Sequence, residues 1–297
     1  MSVYFTVISQ NTEAACRPGF YEYLSSKVNF YQPDVIALQE VHLTYGQGMN
    51  LPERIMPVDP GKRIYPIEVH QFHKLKRLFK EAYFCYFAPH MGGLHDYDPT
   101  PLNVLYGQAL FLKRTTWRML TYNTNFIFGQ FDQLNTEKIG GTPAGKAAQS
   151  ALLEHVETGS QVAIINVHGF TSQQGKVDIP HRFVQNVGIS NHLSQVISKT
   201  HPAPYKLLVG DLNYRSDKMT ALEHLRTQPV FGRDSEVLNE RFGVTQTRTA
   251  FYRDWQTEPQ ADYMVACSKM AERAVYFKAE LDALSDHALL RARFWLD

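Results

Sequence analysis

The stretch Gln149-Ser150-Ala151-Leu152-Leu153-Glu154-His155, then Gly159-Ser160, then Val162-Ala163-Ile164-Ile165-Asn166-Val167-His168 decides the fold class. Both flanks are short apolar runs, and the dipeptide between them supplies a turn, so one strand follows another with no helix between. That order favours mixed sheets over a repeated βαβ unit. Working outward, similar runs at residues 3–9, 34–39, 83–87, 108–112, 205–210, 261–266 and 289–294 read as further strands. Helical spacing appears in Phe20, Leu24 and Tyr31 before Pro33, and in Phe72, Leu75, Leu78, Phe79 and Ala82. It recurs over residues 181–199, with Asp178 and Pro180 placed as cap and first turn, and over 218–226. The expected α/β fold has two mixed sheets packed face to face, with helices on the outside.

Composition narrows the class. Of 297 residues, 44% are hydrophobic, 20% charged and 12% aromatic, which excludes a disordered, collagenous or coiled-coil chain. With 30 basic and 29 acidic residues the formal charge is +1, so phosphate recognition has to be local rather than a whole-molecule attraction. No apolar run reaches the roughly 18 residues of a membrane helix, and Met1 to Ile8 lacks a charged leader, so a cytoplasmic protein is expected. The three cysteines, Cys16, Cys85 and Cys267, are scattered and read as small buried side chains, not as a disulfide or zinc framework. No linker or repeat divides the chain, so residues 1–297 read as one domain, and no obligate protein partner is inferred. Loops expected at 44–66, 90–106 and 140–145 are long enough to face a substrate.

Polar residues gather at the ends of the expected strands: Gln10-Asn11, Gln39-Glu40, Asn166-Val167-His168, Gly210-Asp211-Leu212-Asn213, Ala261-Asp262-Tyr263 and Ser285-Asp286-His287. Singly, each reads as a turn or a satisfied polar residue. Together they suit phosphoester cleavage. A hard cation takes oxygen ligands and only one or two carboxylates, which suits Glu40 assisted by Asp286 and Asn11. Asp211 can orient or deprotonate water, and Asn213 can donate an amide N–H to a phosphate oxygen. Asp262 can fix the tautomer of an imidazole, making His287 a positioned acid, base or charge stabiliser, with His168 as a second histidine. Asp286 and His287 are neighbours, so they can share a cleft only in a loop or at a strand end. Lys176, Arg215 and Arg248 lie beside these motifs and can clamp phosphate or form ion pairs. Lys74, Lys76, Arg77 and Lys80 read as a solvated helix face.

The ordered set Ile8-Ser9-Gln10-Asn11, Pro33-Asp34-Val35-Ile36-Ala37-Leu38-Gln39-Glu40, Asn166-Val167-His168, Gly210-Asp211-Leu212-Asn213, Ala261-Asp262-Tyr263 and Ser285-Asp286-His287 resembles the endonuclease/exonuclease/phosphatase superfamily. That superfamily includes deoxyribonuclease I, apurinic endonucleases, sphingomyelinases and inositol polyphosphate 5-phosphatases. The resemblance implies a four-layer α/β sandwich and hydrolysis of a phosphomonoester or phosphodiester with Mg²⁺ or Mn²⁺. Gly175-Lys176-Val177-Asp178-Ile179-Pro180-His181-Arg182 and Thr245-Gln246-Thr247-Arg248 are similar to compact bacterial members. Gly210-Asp211-Leu212-Asn213-Tyr214-Arg215 is similar to the 5-phosphatase motif, whereas Pro259-Gln260-Ala261-Asp262-Tyr263 lacks the Trp, Cys and Arg of its companion. Deoxyribonuclease-like members place a Tyr and a Glu before the strand at 108–112. Here Leu105-Tyr106-Gly107 keeps only the hydroxyl of Tyr106. A nuclease, a phosphatase of inositol phosphates or phospholipid headgroups, and a non-catalytic binding module therefore stay open. The last should have lost one of Glu40, Asp211, Asp262, Asp286 or His287, and all are present.

Overall fold

In the computed structural model, β1 (Val3–Asn11) and β2 (Val35–Thr44) run parallel, and residues 5–11 and 35–39 are buried on both faces. Strands buried on both faces read as continuous apolar runs and need a layer on each side. The structure describes residues 2–44, 54–55, 67–68, 70–95, 102–133, 145–170, 179–197, 203–214, 220–252 and 256–297.

The first sheet has seven strands in the order β14-β15-β1-β2-β6-β5-β8: Ala274–Glu280, Leu289–Leu296, β1, β2, Leu102–Lys113, Tyr83–His95 and Asp132–Gln133. The second has six in the order β12-β13-β11-β10-β9-β7: Glu236–Val237, Asp262–Ala266, Tyr205–Asp211, Gln161–His168, Lys146–His155 and Trp117–Phe128. Phe5, Val7, Val35 and Leu110 of the first meet Leu153, Ile164, Leu207 and Val209 of the second in the central core. On the outer face of the first sheet, Ile8, Ile36 and Leu38 pack against Phe20 and Leu24 of α1 (Phe20–Tyr31) and Phe72 and Leu75 of α2 (Gln71–Phe79). On the outer face of the second, Ile165, Val167 and Leu208 pack against Ile189 and Leu193 of α3 (Pro180–Ser194) and Leu225 of α4 (Thr220–Arg226). The four-layer sandwich with two mixed sheets is therefore present.

Each apolar run read as a strand is one, usually with a longer reach. Besides the two-residue strands β3 (Arg54–Ile55), β4 (Ile67–Glu68), β8 and β12, two strands escaped that reading, β7 and β14, and both are sheet edges whose residues are largely accessible. Each has a neighbouring strand along one edge only, so few of its residues are fully buried and its composition carries little burial signal. The expected loop at 90–106 is instead largely a ladder, since Met91 to His95 of β5 pairs with Tyr106 to Leu102 of β6. The expected loops at 44–66 and 140–145 lie mostly outside the described residues. α3 ends at Ser194, short of 199; Ile179 is its cap residue and Pro180 opens it, while Asp178 lies outside the described residues. Leu78 of α2 is exposed, unlike its apolar companions, and Cys85 is only partly buried while Cys16 and Cys267 are buried. Among the described residues no helix is long and apolar enough to cross a membrane.

A polar belt crosses the core just below the strand ends. Asn166 accepts from Gln39 Nε2 at 2.7 Å and donates to Gln149 Oε1 at 3.0 Å, and Gln108 Nε2 donates to Ala147 O at 2.6 Å. Gly210 is required beside it: its φ is +136°, and a Cβ there would stand 2.0 Å from Val167 O.

Candidate active site

Two parallel pairs deliver the site. β1 ends at Asn11 opposite Gln39 of β2, where their pairing stops, and β10 and β11 end together at His168 opposite Asp211. Glu40 sits at a bulge, where the β2–β6 register shifts between Gln39 and Val41 and Glu40 takes φ +54°. A bulge re-aims a side chain that the pleat would otherwise send elsewhere. Thr12 holds it: its Oγ1 lies 3.0 Å from Gln39 O and 2.9 Å from Glu40 O, and accepts from Gln71 Nε2 at 2.7 Å. Gln71 also accepts from the His42 N–H at 2.9 Å, tying α2 to the same bulge.

The carboxylates are then linked one to the next. Asn11 Nδ2 donates to Glu40 Oε1 at 3.0 Å and to Asp211 Oδ2 at 3.1 Å. Asp211 Oδ1 accepts the Asn213 backbone N–H at 2.7 Å, and Asn213, at φ +55°, donates from its amide to Gly169 O at 3.2 Å. Asp211 faces Asp262 directly across β11–β13, a like-charge pairing that these donors offset. Both oxygens of Asp262 lie 2.8 to 2.9 Å from His287 Nδ1. Arg248 Nη1 lies 2.5 Å from His287 Nε2 and 3.0 Å from Asp286 Oδ2. Guanidinium can only donate, so Nε2 accepts and the imidazole proton is assigned to Nδ1, facing Asp262. Nε2 is also 3.6 Å from both Asp211 Oδ2 and Asp286 Oδ1.

Hydroxyls stitch the last segments in place. Thr247 Oγ1 accepts the Ala261 and Asp262 N–H groups at 2.9 and 3.1 Å, and Ser285 Oγ donates to Asn11 O at 2.7 Å. The bridge between Arg248 and His287 sits just ahead of β15, so Asp286 and His287 do lie at a strand end. Glu13 accepts the Asp286 N–H at 3.0 Å and is itself clamped by Arg17.

His168 joins the group at its edge. Its Nε2 is 3.7 Å from Glu40 Oε1 and 3.9 Å from Asp211 Oδ2, and its Nδ1 is buried without a hydrogen-bond partner among the described residues. Its neighbour there is His90, ring to ring at 5.8 Å. Tyr106 packs edge-on against His42 at 4.2 Å, its partner across β2–β6. Arg215 and Lys176 lie outside the described residues. Sequence reading missed Lys146, His90, Thr12 and Gln71. Lys146 was visible only as a lysine heading the apolar run Ala147-Ala148, and its charge acts on Glu40, His90 and His168.

The electrostatics follow from this crowding. Burial, then the Asp286 and Asp211 charges, push Glu40 above the usual carboxylate range against the opposing Asn11 bond, although 40% of its side chain is accessible. Asp286 is raised too, by burial first and then by Glu13 and Asp211, with His287 and Arg248 opposing. Burial would lower Arg248, but Asp211, Asp286 and Asp262 outweigh it and hold the guanidinium charged. His168 is held well below its ordinary value by burial and by Lys146, and His90 is lowered to about 3 by burial, Lys146 and His42. Crowded oxygen donors whose charges oppose one another are the donor set a hard divalent cation suits. Asp211, Asp262 and His287 also bring ligand atoms within 4.8 Å of one another. There, however, Asp262 is occupied by Nδ1, and Nε2 already faces a guanidinium.

No protein-family model and no curated protein matches the chain. Solved structures do. An endonuclease/exonuclease/phosphatase from Bacteroides vulgatus superposes with a TM-score of 0.64 at 15% identity, over 99% of this chain and 100% of that one. A family protein from Bacteroides thetaiotaomicron gives 0.66 at 12% identity, over 100% and 99%. The human Nocturnin catalytic domain, solved with a bound sulfate, gives 0.63 at 16% identity, over 100% and 97%. Joined to the ordered motifs at the strand ends, these superpositions give the chain the fold of the endonuclease/exonuclease/phosphatase superfamily.

Proposed function

We propose that the protein is a divalent-metal-dependent phosphoester hydrolase. The observation that carries the reading is the linked set Glu40, Asn11, Asp211, His287, Asp262, Arg248 and Asp286 at one end of the sandwich. Asn11 comes from the start of the chain and Asp286 from its end, which also supports one domain over residues 1–297. Glu40, with Asp286 and Asn11 beside it, would hold Mg²⁺ or Mn²⁺. The ion would neutralise charge on the phosphoryl oxygens and the leaving group.

The remaining steps belong to the side chains. Asp211, fixed by Asn11 and by the Asn213 N–H, orients the attacking water and draws its proton. His287 is locked by Asp262 with Nε2 pointing toward Asp211, so it can take up a proton or, once protonated, donate to a phosphoryl oxygen. Arg248 supports phosphate binding in particular, because its buried Nε–H has no acceptor among the described residues. An anion oxygen would satisfy it. The second amide hydrogen of Asn213 and the unpartnered Nδ1 of His168 offer further polar contacts. Lys176, Arg215 and Tyr106 remain candidate phosphate ligands.

Arg248 and Lys146, the cations described within the site, are both buried. That suits a compact phosphate-bearing group better than the backbone of a long strand, so we favour a small phosphorylated molecule or a terminal phosphate. The test is hydrolysis of inositol phosphates, phosphoinositides, sphingomyelin, DNA and RNA with Mg²⁺, Mn²⁺ or EDTA. Metal-dependent release, lost in both Glu40→Ala and His287→Ala, is expected. Nicking of plasmid DNA without release from small substrates would make it a nuclease, and inactivity on every substrate would overturn the hydrolase reading.

A further inference from the structure

On the outer face of the first sheet, at the far end of β1 from Asn11, Tyr4, Thr6, Phe30, Tyr31, Val275, Tyr276, Arg291 and Arg293 line a cavity of about 470 Å³. Thr6 and Asn11 are five residues apart on one strand, so roughly 17 Å separates this cavity from the phosphoesterase site. Phe5 and Val7 point into the core, which puts Tyr4 and Thr6 on the opposite side of the sheet.

The strand register builds the walls in rows. Tyr4 faces Trp295 across β1–β15, and Arg293 lies between Thr6 and Tyr276. The Arg293 guanidinium stacks over Tyr4 at 4.0 Å, and that of Arg291 is held between Tyr31 at 3.8 Å and Tyr276 at 4.3 Å. Stacked guanidinium planes keep their edge N–H groups free for an oxyanion. Arg291 Nε has no hydrogen-bond partner, Glu280 Oε1 standing off at an ion-pair distance of 3.9 Å, and among the described residues no carboxylate pairs with Arg293. Phe30 is 79% exposed and Tyr4 45%, an unusual outlay of aromatic surface for a water-facing rim.

We propose that this cavity binds a nucleoside monophosphate, its phosphate on Arg291 and Arg293 and its base against Phe30 and the tyrosines. Its volume lies within the roughly 300 to 1,000 Å³ of small-molecule sites. A single phosphate fits better than a strand, because the acidic pair Glu280 and Asp282 lies next along the sheet. Glu280 is bonded to Tyr31 and Lys27, and Asp282 to Lys27, just past Arg291. A continuing chain of phosphates would meet both carboxylates.

Isothermal titration of the full chain in EDTA tests this with adenosine 5′-monophosphate, adenosine, inorganic phosphate and a short oligothymidylate as probes. The monophosphate should bind more tightly than adenosine or phosphate. Its affinity should fall about tenfold in Arg293→Ser and in Phe30→Ser, both surface changes, and stay unchanged in Glu40→Ala. Hydrolytic rates of Arg293→Ser should equal those of the wild type, whatever substrate the other site takes. No binding, wild-type affinity in either surface variant, loss confined to Glu40→Ala, or oligothymidylate binding more than tenfold tighter than the monophosphate would each overturn the proposal.

Discussion

Replacing Thr12 by Val keeps the shape of the side chain and removes one hydroxyl. That hydroxyl is the donor shared between Gln39 O and Glu40 O and the acceptor of Gln71 Nε2. Gln39 O keeps the Thr12 backbone N–H at 3.0 Å, so two groups are orphaned: the Glu40 carbonyl and one Gln71 N–H. At about 1 to 3 kcal/mol for each buried group left unpaired, the variant should lose about 2 to 6 kcal/mol of stability. Glu40 is held at φ +54°, a conformation costing a residue with a Cβ about 1 to 2 kcal/mol, so the freed bulge should relax and carry the carboxylate away from Asn11. Loss of a group that orients a metal ligand typically weakens metal affinity about 10- to 100-fold. Urea unfolding and the Mg²⁺ concentration giving half-maximal hydrolysis measure the two effects, with Thr12→Ser restoring both. Wild-type metal dependence in a folded Thr12→Val protein would refute the idea that this clamp aims Glu40.

Three further expectations follow from single contacts. Arg248→Met should cut turnover roughly 100-fold while the far-ultraviolet circular dichroism stays unchanged, since it strips a hydrogen-bonded charge from both Asp286 and His287; a wild-type rate would remove Arg248 from the mechanism. His192 is lowered by burial to about 4, with Nε2 accepting the Asn125 N–H at 3.0 Å and Nδ1 2.8 Å from Ser150 Oγ. Because its folded pKa lies below the unfolded value near 6.5, its contribution is full above that pH and declines as pH falls toward 4, reaching about 3 kcal/mol. Urea titrations near neutrality and at acid pH should therefore show a smaller acid loss in His192→Gln than in the wild type, and an equal loss would count against a neutral buried imidazole. Gly210→Ala should cost about 3 kcal/mol or more, read as a lowered Tm, because the new Cβ meets Val167 O at 2.0 Å in a backbone conformation that glycine alone adopts readily.

The fold was legible where a strand lies inside a covered sheet and illegible at the sheet edges. β10 and β11 are continuous apolar runs because helices pack on one side and a sheet on the other, and their boundaries could be read almost to the residue. β7 shows one buried position near each end and mostly accessible residues between, so neither apolar period nor run length marks it. The ladder at 91–95 and 102–106 reads as loop in the sequence for a related reason: its glycines, Gly92 and Gly93, carry no side chain to bury, although a Cβ at Gly92 would stand 2.4 Å from Leu105 Cδ2.

The site was legible in its chemistry and hidden in its supports. Asn11, Glu40, Asp211, Asp262, Asp286 and His287 could be chosen because their residue types have few uses at strand ends, and the structure brings them together. Thr12, Gln71 and Thr247 are ordinary residues whose importance lies in long-range contacts, such as Gln71 reaching Thr12, which no local pattern announces. What links the two levels is register. Val7 pairs with Ala292 and Val35, and Ser9 with Leu290 and Ala37, so the ladder that seats Val7 and Ala292 in the core also sets Asn11 beside Gln39 and starts β15 two residues beyond His287. A slip of one residue would turn Arg291 and Arg293 into the core and carry Asn11 away from Glu40 at the same time. The apolar alternation of β15 therefore specifies the candidate site as firmly as the acids do, because packing selects the one register in which residues from the two ends of the chain meet.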